Sequence, residues 1–165
     1  YTYSNDAWKD LLSEYNGQKI TYDKIGNPIK YCGRNLSWTK GRQLESNIKD
    51  GVTTTYQYDA NGIRTKKIVG DKKTDYTYID GKLYAMKSSG VELTFSYDDQ
   101  GNPFGVCYNG QWYLYQTNIQ GDVIGIVNYN GVKVASYEYD AFGKILYSST
   151  SAIGQINPLR YRGYV

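Results

Sequence analysis

Histidine is absent from the 165-residue sequence, and cysteine and proline are scarce, with two and three residues respectively. Without histidine, the Ser-His and Cys-His nucleophile pairs of hydrolases cannot form, and zinc sites lose their usual nitrogen ligand. Cys32 and Cys107 allow at most one disulfide, which excludes a disulfide-stabilised scaffold. We interpret both as free, partly buried thiols, and the sequence leaves their redox state open.

Long apolar runs are also absent. No apolar stretch of about 18 residues is present, so no transmembrane helix is predicted. No basic start is followed by an apolar core, so no signal peptide is predicted. Because the chain begins at Tyr1 rather than Met, we expect it to be an internal piece of a longer protein. The net charge of +3 is too small to indicate a nucleic-acid partner.

Leucine-rich and alanine-rich runs are scarce, which argues against a helical bundle and against a parallel α/β core. The sequence has instead 20 Tyr and 3 Trp, whose rings supply the apolar area of a core. Each Tyr hydroxyl then needs a hydrogen-bond partner when it is buried. The 18 Gly residues indicate that the chain makes many tight turns.

Apolar and aromatic residues alternate along much of the chain. Residues 91–97 alternate strictly between two faces, which is the period-two pattern of a strand. Residues 122–127 are apolar on both faces and predict a buried strand. One helical pattern occurs, in residues 5–12, where Asn5 or Asp6 could serve as N-cap.

Turn signals separate these strands and recur about every 12 or 13 residues. The first kind, Asp-x-x-Gly, predicts a type I turn closed by a Gly with positive φ, with the Asp side chain accepting backbone N–H groups. It begins at Asp23, Asp59, Asp98 and Asp140. The second kind predicts two-residue primed turns, and it begins at Asn16, Asp50, Asp80, Asn109 and Asn130. With looser Gly turns between them, the chain is predicted to be a continuous antiparallel meander.

The Asp-x-x-Gly turns belong to a repeat of the form aromatic or Ile, x, Tyr, Asp, x, x, Gly. Its aspartates are separated by 36, 39 and 42 residues. Periods of this size indicate arrays in which each unit buries its face against its neighbours. The predicted structural turn residues are Tyr22, Asp23 and Gly26; Tyr58, Asp59 and Gly62; Tyr97, Asp98 and Gly101; and Tyr139, Asp140 and Gly143.

These repeats resemble the YD repeats of bacterial RHS proteins, and the resemblance extends over essentially the whole chain. It is closest in residues 118–127, 137–143 and 157–164, and residues 38–44 also fit. Similar repeats occur in insecticidal toxin complexes, wall-associated proteins and teneurins. The C-terminal stretch contains a family-like motif made of Pro158, Leu159, Arg160, Tyr161, Arg162 and Gly163.

The resemblance implies both a fold and a function. In that family, β-hairpins form a spiral shell that encloses a C-terminal toxin or effector. Residues 1–165 are therefore expected to be a single all-β repeat region of a larger secreted or cell-surface protein. The expected partners are the flanking repeats and the enclosed toxin domain of that parent protein. The family's self-cleaving, aspartate-based core motif has no counterpart among these residues, and that activity is not carried over.

A length estimate limits what the chain can enclose. Roughly 13 strands at about 4.8 Å spacing form a ribbon on the order of 60 Å long. A cargo about 35 Å across needs a wall on the order of 110 Å. The chain is therefore expected to be a curved arc of a shell, and its two open sheet edges predict self-association.

Other functions compete with this structural role. A Tyr-rich sheet can stack on sugars, so a glycan-binding or adhesive surface module is the alternative, although cross-strand Tyr ladders explain the same residues. The basic cluster of Arg64, Lys66, Lys67, Lys72 and Lys73 fits charged strand edges better than a polyanion-binding patch. Because the repeat aspartates are assigned to turns, we predict no enzyme, no catalytic residue, no cofactor and no metal site.

Overall fold

A computed structural model describes residues 1–3 and 8–163. These residues contain 16 strands, one short helix (α1, Ala152–Ile156) and a 3₁₀ turn at Tyr161–Gly163. In chain order the strands are β1 Glu14–Tyr15, β2 Gln18–Lys19, β3 Thr21–Tyr22, β4 Pro28–Tyr31, β5 Arg34–Thr39, β6 Gln43–Lys49, β7 Val52–Tyr58, β8 Arg64–Val69, β9 Lys72–Ile79, β10 Lys82–Ser88, β11 Val91–Tyr97, β12 Pro103–Tyr108, β13 Gln111–Thr117, β14 Val123–Val127, β15 Lys133–Tyr139 and β16 Ile145–Ser148.

Strands β3 to β16 form one antiparallel sheet whose order follows the chain, and β1 and β2 form a separate two-stranded ribbon. Each strand is therefore connected to its neighbour in the sheet by a hairpin. This arrangement confirms the predicted all-β antiparallel meander. No helix in the part of the chain that the structure describes is long and apolar enough to cross a membrane.

The chain divides into two compact units, Tyr1–Tyr76 (unit 1) and Thr77–Val165 (unit 2). In unit 2 the segment that follows β16 turns back onto one face of the sheet, where α1 contacts β15 and the 3₁₀ turn contacts β14. This second layer gives unit 2 a core. Its buried apolar residues are Leu83, Met86, Leu93, Phe95, Val106, Val123, Ile126, Ala135, Tyr137, Ile153 and Leu159.

Unit 1 has a much smaller core. Ile20, Asn27 and Thr54 are the buried residues among its described residues 1–3 and 8–76. Strand β8 is half-buried along its whole length, so neither of its faces is fully covered. Unit 1 is therefore held mainly by its hydrogen-bonded ladders and cross-strand side-chain pairs.

The helix predicted for residues 5–12 is not found over the part that the structure describes. Residues 4–7, with both predicted caps, lie outside the described residues. Over residues 8–12 the chain makes a turn, in which Leu11 N–H donates to Trp8 O at 3.0 Å. The next residue enters a β pairing, with Ser13 N–H donating to Thr2 O at 2.8 Å. A single turn of helix over residues 8–12 is too short to persist against such pairing.

Four of the five predicted two-residue turns have positive φ at both central residues, as primed turns require. They are Asn16-Gly17, Asp50-Gly51, Asp80-Gly81 and Asn109-Gly110. The prediction is wrong at Asn130-Gly131, where Gly131 has a φ of 75° and Asn130 does not adopt positive φ. There, Gly131 N–H donates to Asn128 O at 2.9 Å, so the turn starts two residues earlier.

Candidate functional site

The turn at Asp59 shows how an Asp-x-x-Gly sequence closes. Oδ1 of Asp59 accepts hydrogen bonds from the N–H groups of Asn61 and Ile63, both at 2.9 Å. The main chain adds bonds from Asp59 N–H to Ile63 O at 2.9 Å and from Gly62 N–H to Asp59 O at 3.2 Å. Gly62 has a φ of +82°, which disfavours any residue with a Cβ atom. One carboxylate oxygen thus holds a turn that also needs glycine.

The same geometry occurs six times in the described residues, whereas the sequence pattern predicted four. Oδ1 of Asp23, Asp98 and Asp140 accepts the N–H groups two and four residues later, at 2.7–3.0 Å. Asn118 and Asn128 do the same with their amide oxygens, at 2.9–3.0 Å. Sequence reasoning missed these two because it required Asp. An Asn carbonyl oxygen accepts the same bonds, so the true signal is Asx-x-x-Gly.

The turn hydrogen bonds stabilise the charged form of two repeat aspartates, Asp23 and Asp98. Side-chain and backbone bonds from Asn102 hold the pKa of Asp98 below its ordinary value. Desolvation acts in the opposite direction on Asp23, but the bonds from Asn27 and Ile25 outweigh it, and the pKa of Asp23 is also lowered. These carboxylates therefore act as ionised hydrogen-bond acceptors within their own turns.

We expect Asp59→Ala to lower the free energy of unfolding by about 1 kcal/mol, because two turn N–H groups lose their acceptor. Asp59→Asn keeps an acceptor oxygen, as Asn118 and Asn128 do, and should change stability by less than about 0.5 kcal/mol. Chemical denaturation measures both changes. If Asp59→Ala left stability unchanged but abolished binding of a ligand, the repeat aspartates would be a binding array instead of turn residues.

The tyrosine before each repeat aspartate ties its strand to the preceding element. Its hydroxyl donates to a main-chain carbonyl. For the tyrosines of β7, β11 and β15, the carbonyl belongs to the preceding strand and lies two residues past the point where the backbone pairing of the two strands ends. The hydroxyl thus continues the hydrogen bonding where the ladder ends. The four bonds are Tyr22 to Leu12 O (2.6 Å), Tyr58 to Leu44 O (2.8 Å), Tyr97 to Leu83 O (2.8 Å) and Tyr139 to Val123 O (2.7 Å).

Burial raises the pKa of Tyr97 to about 12, from an ordinary value near 10. Because the folded-state pKa is above the unfolded one, the neutral hydroxyl contributes stability that is fully present below about pH 10 and is lost as pH rises through about 12. We therefore expect Tyr97→Phe to lose less stability over this interval than the native chain does. Tyr84→Phe, which removes an exposed hydroxyl, is the matched control. Identical alkaline unfolding curves for Tyr97→Phe and the native chain would contradict this assignment.

The repeat turns lie in rows. Successive strands alternate in direction, so turns separated by an even number of strands lie at the same end of the strands. The Asp23 and Asp59 turns therefore share one strand end in unit 1, and the Asp98, Asn118 and Asp140 turns share one strand end in unit 2. Within each turn the Asx side chain holds the hairpin closed, and where a tyrosine precedes the Asx its hydroxyl joins the hairpin to the preceding element. Among the described residues, no group of three or more His, Cys, Asp or Glu side chains could hold a metal ion.

The C-terminal motif packs on the unit 2 sheet. Pro158 is half-buried and Leu159 is 1% exposed. The Arg160 guanidinium donates to three main-chain carbonyls of α1 and its C-terminal end, at 3.2 Å each. It also lies 5.0 Å from the centroid of the Tyr137 ring. Gly163 N–H closes the motif by donating to Arg160 O at 3.1 Å.

The same motif reaches the last repeat turn. A Cβ atom on Gly143, whose φ is +87°, would lie 2.6 Å from the Tyr161 ring, so this ring requires glycine beneath it. Arg162 N–H donates to Oδ1 of the buried Asp122 at 2.9 Å. Val123 N–H donates to the main chain of the motif at 3.0 Å. The motif therefore connects the turn row of unit 2 to the layer that covers its sheet.

Asn157 forms a buried polar network that sequence reasoning did not predict. It is 1% exposed, and its Oδ1 accepts a 2.6 Å bond from the Tyr115 hydroxyl. Its Nδ2 donates to Leu159 O at 2.7 Å and to the Tyr137 hydroxyl at 3.4 Å. Burial raises the pKa of Tyr115 well above its ordinary value, so its hydroxyl stays a donor. The sequence feature that could have pointed to Asn157 is the Asn-Pro pair at the start of the motif.

The predicted basic cluster does not protect a sheet edge. Its residues belong to β8 and β9, which both have a hydrogen-bonded strand on each side. Lys66 and Lys73 lie 3.8 and 2.9 Å from carboxylate oxygens of Asp75. The Arg64 guanidinium instead lies over aromatic rings. The edge interpretation is wrong because the sequence does not reveal which strands are interior.

Comparison with known proteins identifies relatives of this chain. No family model matches it. It is 32% identical over 160 residues to the tRNA3(Ser)-specific nuclease WapA of Bacillus spizizenii, and equally to the tRNA nuclease WapA of Bacillus subtilis. Both matches cover 93% of this chain and 7% of the relative. The crystal structure of TcdB2-TccC3-Cdc42 superposes with a TM-score of 0.60 at 16% identity, over 96% of this chain and 9% of that one, which shows a shared fold.

These matches contradict the prediction that the protein is not an enzyme, because the matched relatives are named as nucleases. That prediction rested on the absence of histidine and on the use of the repeat aspartates in turns. Both observations concern a stretch that spans 7% of each relative, so they say nothing about catalytic residues in the remaining length.

The sequence repeat and the comparisons agree on the family. The Tyr-Asp-x-x-Gly turns recur through the chain, the strands form one hairpin meander, and the WapA matches extend over nearly all of it. Together they show that the chain is a stretch of YD repeats similar to those of bacterial RHS-type proteins.

Proposed function

We propose that the chain is a structural segment of an RHS-type toxin, a single repeat region that forms part of a β-shell around a C-terminal toxin domain of the same protein. The observation that carries this proposal is the Tyr-Asp turn, which repeats four times with one hydrogen-bonding scheme. A turn of this kind extends the sheet hairpin by hairpin.

The matched relatives support this role. They are nucleases of which the chain spans 7%, so most of their length lies in other segments. The proposed partners are accordingly the flanking repeats and an enclosed toxin domain, and a nuclease is the domain that the relatives suggest. We further propose that the parent protein is secreted or displayed on the bacterial surface, where such a toxin meets its target.

Protease protection tests the enclosing role. In the full-length parent protein, the domain after the repeats should resist added protease while the shell is intact. Replacing Tyr97 by Ala should open the wall, because the Leu83 carbonyl loses its partner and the space of the ring is left empty. Lys87→Ala, at an exposed lysine of unit 2, is the control and should leave protection unchanged. A domain that is cleaved equally fast in the native parent and in both variants would refute enclosure.

The glycan-binding alternative receives less support from the structure. The hydroxyls of Tyr58, Tyr97 and Tyr139 are all bonded to main-chain carbonyls of neighbouring strands. A sugar-stacking platform needs ring faces that are free to solvent, whereas these rings are half-buried within the sheet. The repeated tyrosines are therefore better explained by cohesion of the sheet than by ligand binding.

We expect the isolated chain to self-associate through β16. This strand ends the unit 2 sheet, and its sequence, Ile-Leu-Tyr-Ser, has no charged residue to discourage edge pairing. Leu146 and Tyr147 are 62% and 50% exposed. Light scattering should show association that Leu146→Lys reduces, whereas Val132→Lys, at a similarly exposed turn residue, should not. A native chain that stays monomeric at high concentration would contradict this expectation.

A further inference from the structure

The two faces of the unit 1 sheet differ in charge. Directly paired residues point to the same face, and residues two apart in one strand share that face. From β5 to β9, the register pairs Arg34 with Lys49 and places Lys67 and Lys72 on the same side of the sheet. Arg64 also lies on that side, because the β7–β8 ladder has a register shift between Gln57 and Tyr58 that separates it from the face of Lys66. We call this surface the basic face and define it by those five residues.

No carboxylate forms an ion pair with the basic face. Strands β5 to β8 and the unit 1 part of β9 contain two acidic residues, Glu45 and Asp75, and the turns between these strands contain Asp50, Asp59 and Asp71. Asp75 pairs with Lys66 across the ladder, which puts it on the opposite face. Glu45 accepts a bond from Ser37, whose register also belongs to that opposite face. Among the described residues, none of the five cations of the basic face has a carboxylate within ion-pair distance.

Two features of the basic face are unfavourable for the isolated sheet. Arg34 lies directly opposite Lys49, and like charges in that position destabilise a sheet. The second unfavourable feature is the Nε of Arg64, which is buried without a hydrogen-bond partner in the described structure. The guanidinium itself lies 5.5 Å from the Tyr56 ring centroid and 5.6 Å from that of Tyr76. Folding alone therefore does not explain why five cations without a carboxylate partner lie on one side.

We propose that the basic face binds a carboxylate-rich surface of a polypeptide partner. The five cations span five strands, about 19 Å across at about 4.8 Å per strand spacing, and about 17 Å along the strands. At about 320 Å² this area is part of a protein interface, which buries about 800 Å² on each partner, and it is too flat and wide for a small-molecule pocket. The two arginines can bind carboxylates through paired hydrogen bonds, and the three lysines add charge.

A single-stranded nucleic acid fits the basic face less well. Such ligands bind where basic side chains alternate with aromatic rings that are free to stack on bases. Here the Tyr56 and Tyr76 rings already carry the Arg64 guanidinium. Trp38 Nε1 donates to Pro28 O at 2.7 Å, which holds that ring within the sheet. The face therefore offers charge without stacking surfaces. The inference rests on these contacts and does not require that the parent protein encloses a toxin.

Binding of charged polymers to the full 165-residue chain tests this proposal. The probe is fluorescent poly-L-glutamate of about 20 residues, followed by anisotropy at low and at raised ionic strength. The test variant is the triple Lys49→Gln, Lys67→Gln, Lys72→Gln on the basic face. The matched control is the triple Lys30→Gln, Lys66→Gln, Lys73→Gln, which removes the same charge from the opposite face of the same sheet. Circular dichroism checks that both variants fold.

We expect the basic-face triple to bind poly-L-glutamate about 10-fold more weakly than the native chain, and the control triple to change affinity less than about 2-fold. Equal losses in both triples would show a net-charge effect and overturn the proposal, as would the absence of binding by the native chain. Tighter binding of a 20-nucleotide single-stranded DNA than of poly-L-glutamate, at about equal charge, would identify a nucleic-acid surface instead. A change of oligomeric state in the basic-face triple alone would identify a second copy as the occupant.

Discussion

Replacing Gly143 by valine is expected to lower the free energy of unfolding by about 3–5 kcal/mol, because two penalties add. The φ of +87° places this residue in the left-handed region, which costs a residue with a Cβ about 1–2 kcal/mol and a β-branched residue more. The new Cβ would also lie 2.6 Å from Cδ1 of Tyr161, a distance that forces the ring to move. That ring belongs to the motif that covers the unit 2 sheet, so displacing it disturbs the covering layer.

Gly131→Val separates the two penalties. Gly131 has a φ of +75° in the same kind of turn, but nothing lies within 4 Å of the position of its Cβ. It should therefore show the backbone penalty alone, about 1–2 kcal/mol. In a double-mutant cycle, Tyr161→Ala should reduce the effect of Gly143→Val toward that of Gly131→Val. Equal destabilisation by the two valine variants in chemical denaturation would show that the Tyr161 contact contributes nothing.

The parts of the fold that follow from local sequence could be predicted. A turn such as Asp59 to Gly62 contains its own acceptor, donors and positive-φ glycine within five residues. Its geometry therefore depends little on the rest of the chain. Alternation in β11 likewise indicated a strand, because one face of that strand holds Leu93 and Phe95 in the core. Repeats of such local signals were enough to predict the meander.

Features that depend on distant residues could not be predicted. Tyr115 and Asn157 are 42 residues apart and meet because the C-terminal segment folds back onto the sheet. The basic cluster was treated as one patch, whereas the pleat sends Lys66 and Lys67 to opposite faces, where only the former meets Asp75. Function depends still more on remote sequence, since the nuclease relatives are mostly composed of segments that this chain does not match.

Asn157→Ala is the second substitution with a large expected effect, a loss of about 2–4 kcal/mol in the free energy of unfolding. Asn157 is 1% exposed, and removing its amide leaves the Tyr115 hydroxyl and the Leu159 carbonyl buried without partners. An unpaired buried donor or acceptor carries its full desolvation penalty, about 1–3 kcal/mol for each group. The loss should exceed that of Tyr115→Phe, which removes one hydrogen bond and leaves the ring in place.

The matched control is Asn47→Ala, because the Oδ1 of Asn47 is buried without any hydrogen-bond partner in the described structure. Removing an unsatisfied oxygen relieves a desolvation penalty, so this variant should stay within about 0.5 kcal/mol of the native chain. A double-mutant cycle between Asn157→Ala and Tyr115→Phe should give a coupling energy of about 1 kcal/mol or more. If Asn157→Ala were as mild as Asn47→Ala, the network would not hold the C-terminal segment to the sheet.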